Sequence, residues 1–174
     1  IPSNMWKETL KYVKDDLAKV KTGVVEDFSN FVNAVIDEDS FDKLSKVIDD
    51  ANASPDAEVV CGGTYDKSTG YFIHPTVIQA KTPDYITMKE ELFGPILTVY
   101  VYEPKDIEQT LDILDSSTDY ALTGAIFSSD RYMIEKLTSR LMHTAGNFYI
   151  NDKPTGAVVD QQPFGGGRGS GTND

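Results

Sequence analysis

Two stretches of the 174-residue chain concentrate residue types that can do chemistry. The first is Gly146-Asn147-Phe148-Tyr149-Ile150-Asn151-Asp152, an apolar strand pattern that runs on to Thr155-Gly156-Ala157-Val158-Val159 and Pro163-Phe164-Gly165-Gly166-Gly167. Open α/β sheets bind ligands beyond the carboxyl ends of their strands, and glycines there let bare backbone N–H groups approach an anion. Gly156-Ala157 fits that task, because two successive small residues after a strand can point adjacent N–H groups at one carboxylate. An ordinary surface turn satisfies the same pattern. The second stretch, Glu90-Glu91-Leu92-Phe93-Gly94-Pro95, sets two carboxylates, an aromatic ring and a Gly-Pro break just before a strand pattern. A carboxylate with free lone pairs accepts from both hydroxyls of a ribose, and a nearby aromatic packs on a flat ring. The competing reading is a helix end with solvated glutamates.

Other chemistries are excluded or weakened by spacing and charge. The terminal glycines fail the dinucleotide pattern, since Ser170 and Thr172 stand where G-x-G-x-x-G needs glycine, and no P-loop lysine follows. With 28 acidic against 16 basic residues the net charge is −12, which repels phosphate backbones and anionic membrane surfaces, so no nucleic-acid or membrane partner is expected. The single cysteine, Cys61, cannot form an internal disulfide, and His74 and His143 stand too far apart to begin a zinc site; no metal is expected. Cys61 lies in an apolar setting with no adjacent histidine or lysine, the environment of a structural thiol rather than a nucleophile.

The elements that must position these groups follow from periodicity. Trp6, Leu10, Val13, Leu17 and Val20 recur at helical steps with Ser3 or Asn4 available to cap. Phe41, Leu44, Val47 and Ile48 predict a second helix that starts after Asp39-Ser40 and stops near Ser54-Pro55. Short strands are expected at Glu58 to Cys61 and at Tyr71 to Ile73, the latter an edge or broken strand because of Pro75. From Ile96 the pattern becomes strand (to Tyr102), helix (Ile107, Leu111, Leu114), strand (Thr123 to Phe127), helix (Ile134, Leu137, Leu141) and strand (Asn147 to Ile150). Connections of that length favour parallel strands with right-handed crossovers. The expected class is therefore α/β, an open, largely parallel twisted sheet with flanking helices.

Met88-Lys89-Glu90-Glu91-Leu92-Phe93-Gly94-Pro95-Ile96-Leu97-Thr98-Val99-Tyr100-Val101-Tyr102 and the Gly146 to Asp174 tail together resemble the aldehyde dehydrogenase superfamily. The tail, with Thr155-Gly156-Ala157-Val158-Val159, Gln161-Gln162-Pro163-Phe164-Gly165-Gly166 and Ser170-Gly171-Thr172-Asn173-Asp174, is more similar to its pyrroline-5-carboxylate dehydrogenase branch. Ala34-Val35-Ile36-Asp37 with Ser40-Phe41, and Leu122-Thr123-Gly124-Ala125, extend the likeness over nearly the whole chain. It implies NAD-dependent oxidation of L-glutamate 5-semialdehyde to L-glutamate in proline breakdown. A cysteine thiolate would attack the aldehyde, hydride would leave to the nicotinamide, and water activated by a glutamate would release the acid.

The resemblance assigns Glu91 to the nicotinamide ribose, Phe93 to the cofactor pocket, Gly156 and Ala157 to the substrate α-carboxylate, and Phe164 to an aromatic wall. It also implies a homo-oligomeric full enzyme, in the mitochondrial matrix if eukaryotic and in the cytoplasm if bacterial. The family's nucleophilic cysteine belongs to a Gly-Gln-Lys-Cys-type segment, which Cys61 does not match, and its general base and cofactor-binding domain lie upstream of that segment. Residues 1–174 are thus expected to be the part of an aldehyde dehydrogenase catalytic domain that follows the cysteine, without the C-terminal tail, and to be inactive alone. Asp160, Gly167 and Gly169 depart from the family pattern, the first placing a carboxylate near an anion anchor. The alternatives are a non-catalytic module of the same fold that binds a small anion or amino acid, and an acidic interaction domain.

Overall fold

The computed structural model describes residues 1–158 and 160–171. Val159 and Thr172 to Asp174, which complete two of the motifs above, lie outside the described residues. The chain divides into two compact units, Ile1–Ile107 and Glu108–Asp174.

The first unit opens with α1 (Ser3–Leu17), whose apolar residues share one face. Neither Ser3 nor Asn4 caps it: both lie inside the first turn, Pro2 occupies the cap position without a side-chain hydrogen bond, and the Ser3 N–H donates to the Tyr102 carbonyl at 2.8 Å. Val20 falls beyond the helix end. The second helix, α2 (Glu38–Ala53), begins earlier than Asp39-Ser40 suggests, because Asp37 is the cap and accepts from the Ser40 N–H at 2.8 Å. Hydrogen bonds from the Ser40 side chain and backbone hold the Asp37 carboxyl below its ordinary pKa. The cap's contribution is therefore present above the ordinary aspartate pKa and lost as pH falls through the lowered one.

Five strands follow: β1 (Ala57–Cys61), β2 (Tyr65–Asp66), β3 (Phe72–Ile73), β4 (Thr76–Ala80) and β5 (Ile96–Tyr100). The main sheet has the order β1-β4-β5, antiparallel between β1 and β4 and parallel between β4 and β5, while β2 and β3 form a separate antiparallel pair. The central strand β4 was not marked by the sequence pattern. Its Thr76, Val77, Ile78 and Ala80 are all buried, so it reads as a continuous run without alternation, and Pro75 before it looks like a terminator. Pro75 instead stands just ahead of the strand, where a missing N–H removes no ladder bond. Helix α2 covers the sheet. Phe41, Leu44, Ile48 and Ile73 form one buried cluster, and Ala51, Ala57 and Ile78 form another.

The second unit contains α3 (Ile107–Ser116), β6 (Tyr120–Ala121), β7 (Thr123–Ile126), α4 (Arg131–Leu141), β8 (Asn147–Ile150) and β9 (Gly167–Arg168). Asp130 caps α4, accepting from the Tyr132 N–H at 2.9 Å and the Met133 N–H at 3.3 Å. Strands β7 and β8 pair in parallel, as a β-α-β crossover through α4 requires, with Thr123 opposite Asn147 and Ile126 opposite Ile150. The two-residue strands β6 and β9 pair antiparallel and fold the glycine-rich tail back onto the unit. The fold is α/β, with both parallel and antiparallel pairings flanked by helices. Among the described residues no helix is long and apolar enough to cross a membrane.

Candidate substrate and cofactor sites

The end of β8 is set by Asn151, a residue that tolerates the left-handed conformation it adopts at φ 52°. Its N–H donates to Ile126 at 2.9 Å, and its side chain clips Ser128, accepting from the N–H and donating to the carbonyl, each at 2.9 Å. The chain then leaves the sheet at Asp152, and by Gly165 and Gly166 it has returned across the start of β8.

Alternation along β8 turns Asn147 and Tyr149 to one buried face. Both are tied to the loop. The Asn147 side chain donates to the Pro163 carbonyl at 2.9 Å and accepts from the Gly165 N–H at 3.1 Å, gripping the main chain on either side of Phe164. The Tyr149 hydroxyl donates to the Gly156 carbonyl and accepts from Gln162 Nε2 at 3.1 Å. Phe164 itself is half exposed. Gly156 has φ 81°, and a Cβ there would meet nothing within 4 Å, so it stands at an open edge in a conformation that favours glycine. Among the described residues, the N–H groups of Gly156 and Ala157 donate to no acceptor. Lys153 holds its Nζ over the Tyr149 ring, 6.0 Å from the centroid. Asp160 is exposed at φ 63° and makes no ion pair among the described residues.

Gly146 shows how tightly the loop returns: a Cβ there would lie 2.0 Å from the Gly165 carbonyl oxygen and 2.7 Å from Gly166 Cα. Gly146→Ala therefore forces the returning backbone away from β8, and the expected result is a second unit destabilised by about 1–3 kcal/mol, the usual range for overpacking. Urea denaturation followed at an aromatic probe checks this, and an unchanged midpoint would count against so close a crossing. Of the two departures around Arg168, Gly167 has room for an alanine, whose Cβ would sit 3.8 Å from Ala121. At Gly169 a Cβ would lie 3.0 Å from the Asp119 carbonyl oxygen, so glycine there fits a tight approach.

In the first unit, Glu90 to Pro95 is neither a helix end nor a strand. A 3₁₀ turn (Ile86–Met88) ends before it, and β5 begins after it. Phe93 is held at φ 54°, an uncommon conformation for an aromatic residue, and is 82% exposed. Gly94 makes the turn possible by lying against Leu44 of α2, whose Cδ1 would be 2.4 Å from a Cβ at that position. Lys43 Nζ reaches the Glu91 carbonyl at 3.3 Å. The Glu91 carboxylate itself makes no hydrogen bond or ion pair among the described residues, which leaves its lone pairs available to a pair of hydroxyls.

Cys61 ends β1 opposite Val77 and is partly exposed rather than buried. His143 is exposed, and His74 lies beside Asp66, whose carboxyl is lowered chiefly by hydrogen bonds from Ser68 and slightly by that histidine. No group of three or more potential metal ligands occurs among the described residues. The structure thus ties Gly156 and the flanks of Phe164 to one strand, β8, and sets Glu91 and Phe93 on one loop. Sequence reading missed Asn147, Tyr149 and Gln162, although alternation along β8 marks the first two as facing the same way.

The family model for the aldehyde dehydrogenase family matches residues 1–174. The chain belongs to the aldehyde dehydrogenase family. Among similar aldehyde dehydrogenases, the mitochondrial delta-1-pyrroline-5-carboxylate dehydrogenase of Dictyostelium discoideum is 53% identical over 174 residues, covering 100% of this chain and 31% of that protein. The mitochondrial human enzyme of the same name is 45% identical over 175 residues, again covering 100% of this chain and 31% of its own length. The crystal structure of the Mycobacterium tuberculosis delta-pyrroline-5-carboxylate dehydrogenase bound with NAD superposes with a TM-score of 0.87 at 43% identity, covering 99% of this chain and 31% of that one. The chain therefore spans about a third of the length of the aldehyde dehydrogenases it matches.

Proposed function

We propose that residues 1–174 are part of an NAD-dependent aldehyde dehydrogenase that oxidises L-glutamate 5-semialdehyde to L-glutamate in proline breakdown. The observation that carries this reading is the pair of N–H donors at Gly156 and Ala157, presented at the open edge beyond β8 with no acceptor among the described residues. Two adjacent neutral donors suit a carboxylate, and the substrate carries one at the end remote from its aldehyde. Phe164 is assigned as the wall along the aliphatic chain of the substrate. This likeness to proteins named for pyrroline-5-carboxylate favours that substrate over other aldehydes.

The free carboxylate of Glu91 fits the nicotinamide ribose of NAD, and the exposed ring of Phe93 fits a wall of the cofactor pocket. When bound, NAD accepts the hydride from the reacting carbon. The side chains assigned here bind and orient; none is assigned as nucleophile or general base. Cys61, at the end of a strand in an unrelated motif, takes no catalytic role. The working enzyme is assigned as a homo-oligomer, in the mitochondrial matrix of a eukaryote or the cytoplasm of a bacterium.

Incubated with NAD and glutamate 5-semialdehyde, the native protein that carries this chain is expected to form NADH and L-glutamate in equal amounts, while the 174-residue polypeptide alone forms none. Absence of NADH formation by the native protein would sink the reading. Turnover by the isolated polypeptide would overturn the assignment of its chemistry to residues elsewhere.

A further inference from the structure

We infer that Tyr149 is a positioning residue for the substrate carboxylate, aiming the Ala157 N–H through its hydroxyl. This inference rests on the anchor reading of Gly156 and Ala157. Tyr149 is 8% exposed, and among the described residues the partners of its hydroxyl, the Gly156 carbonyl and Gln162 Nε2, both belong to the loop. A phenylalanine would fill the same space in β8; among the described residues the hydroxyl adds these two contacts.

The geometry of the peptide unit makes the first contact consequential. The carbonyl of Gly156 and the N–H of Ala157 belong to one planar trans peptide and point in opposite directions. Drawing that carbonyl inward to Tyr149 turns the Ala157 N–H outward. Gly156, at φ 81°, offers little conformational resistance of its own, so without an external hold the peptide is free to rotate. The phenolic hydroxyl has one proton to give, and because Gln162 Nε2 donates to its oxygen at 3.1 Å, that proton is committed to the Gly156 carbonyl. Hydrogen bonding at the carbonyl also polarises the same peptide and strengthens its N–H as a donor. On the other side, Thr155 accepts from Thr123 Oγ1 at 3.2 Å, which steadies the residue preceding the Gly156 N–H. Gln162 is thereby a second positioning residue, acting through Tyr149.

The test compares Tyr149→Phe, Gln162→Leu and Gly156→Trp in the native enzyme, with glutamate 5-semialdehyde and with propionaldehyde, which lacks the carboxylate. For Tyr149→Phe the expected result is a roughly 3- to 10-fold rise in KM for glutamate 5-semialdehyde, the equivalent of one hydrogen bond, with kcat and the KM for propionaldehyde unchanged. The Kd of L-glutamate, read by calorimetry, rises in step. Gln162→Leu moves the same quantities in the same direction by less. An unchanged KM in Tyr149→Phe, with a raised one in Gly156→Trp, overturns the inference and leaves the anchor standing. Equal losses for both aldehydes in Tyr149→Phe, with a lowered melting temperature, overturn it as well, since that is the signature of a merely structural residue. If Gly156→Trp also leaves KM unchanged, the anchor reading fails with it.

Discussion

Gly156→Trp in the native enzyme is expected to lower kcat/KM for glutamate 5-semialdehyde by roughly 100-fold or more, while leaving oxidation of a carboxylate-free aldehyde nearly intact. Two charge-assisted hydrogen bonds to the substrate, at the low end of about 1.5 kcal/mol each, account for that factor. The open space around Gly156, where a Cβ would meet nothing within 4 Å, means that the indole enters the position assigned to the carboxylate instead of the protein core. A side chain at φ 81° also strains the backbone and moves the two N–H groups off their common target. Steady-state kinetics with the two aldehydes measure the effect. Parallel losses on both substrates would show that the loop serves general integrity and not recognition of an anion.

Leu44→Ala is expected to destabilise the first unit by about 3 kcal/mol, within the range for truncating a buried leucine, and to lower its melting temperature by roughly 10 °C. Leu44 is fully buried among Phe41, Ile48 and Ile73, so the removed atoms leave a cavity that the α2 and β3 side chains cannot all collapse into. Gly94 rests directly on the same side chain, so the loop that carries Glu91 and Phe93 loses its floor. The Michaelis constant for NAD is expected to rise with the fall in stability, whereas Leu44→Met, which conserves volume, leaves both nearly unchanged. Calorimetry and NAD titration check the pair. A melting temperature for Leu44→Ala within about 2 °C of the parent would contradict the packing described for α2.

Where periodicity was strong the elements could be placed from sequence: α2, α3 and α4 and the strands β7 and β8 fall where their apolar spacing puts them, although α2 starts at an earlier cap, Asp37, than expected. The failures have physical causes. Strand β4 is buried on both faces and so lacks the alternation that signals a strand, and the two-residue strands β2, β6 and β9 are too short to carry a period. Ser3 lost the cap position to Pro2 because the Tyr102 carbonyl takes its N–H, a long-range contact that no local pattern records. At the candidate sites, the strand-to-loop transition and the Gly94-Pro95 break were legible because glycine, proline and charge are local signals. The scaffold beneath was not: Asn147, Tyr149 and Gln162 matter through hydrogen bonds that span 7 to 18 residues of sequence.

The donors at Gly156 and Ala157 belong to the main chain, and an amide N–H has no proton to lose across the biological pH range. An anion held by them feels acidity only through its own ionisation. Its affinity should therefore stay flat from mildly acidic to alkaline solution, where a histidine-based grip would fade as its imidazolium deprotonates. Nor does such a contact offer a side chain to delete: position 157 is already alanine, so replacing residues by alanine one at a time passes over it.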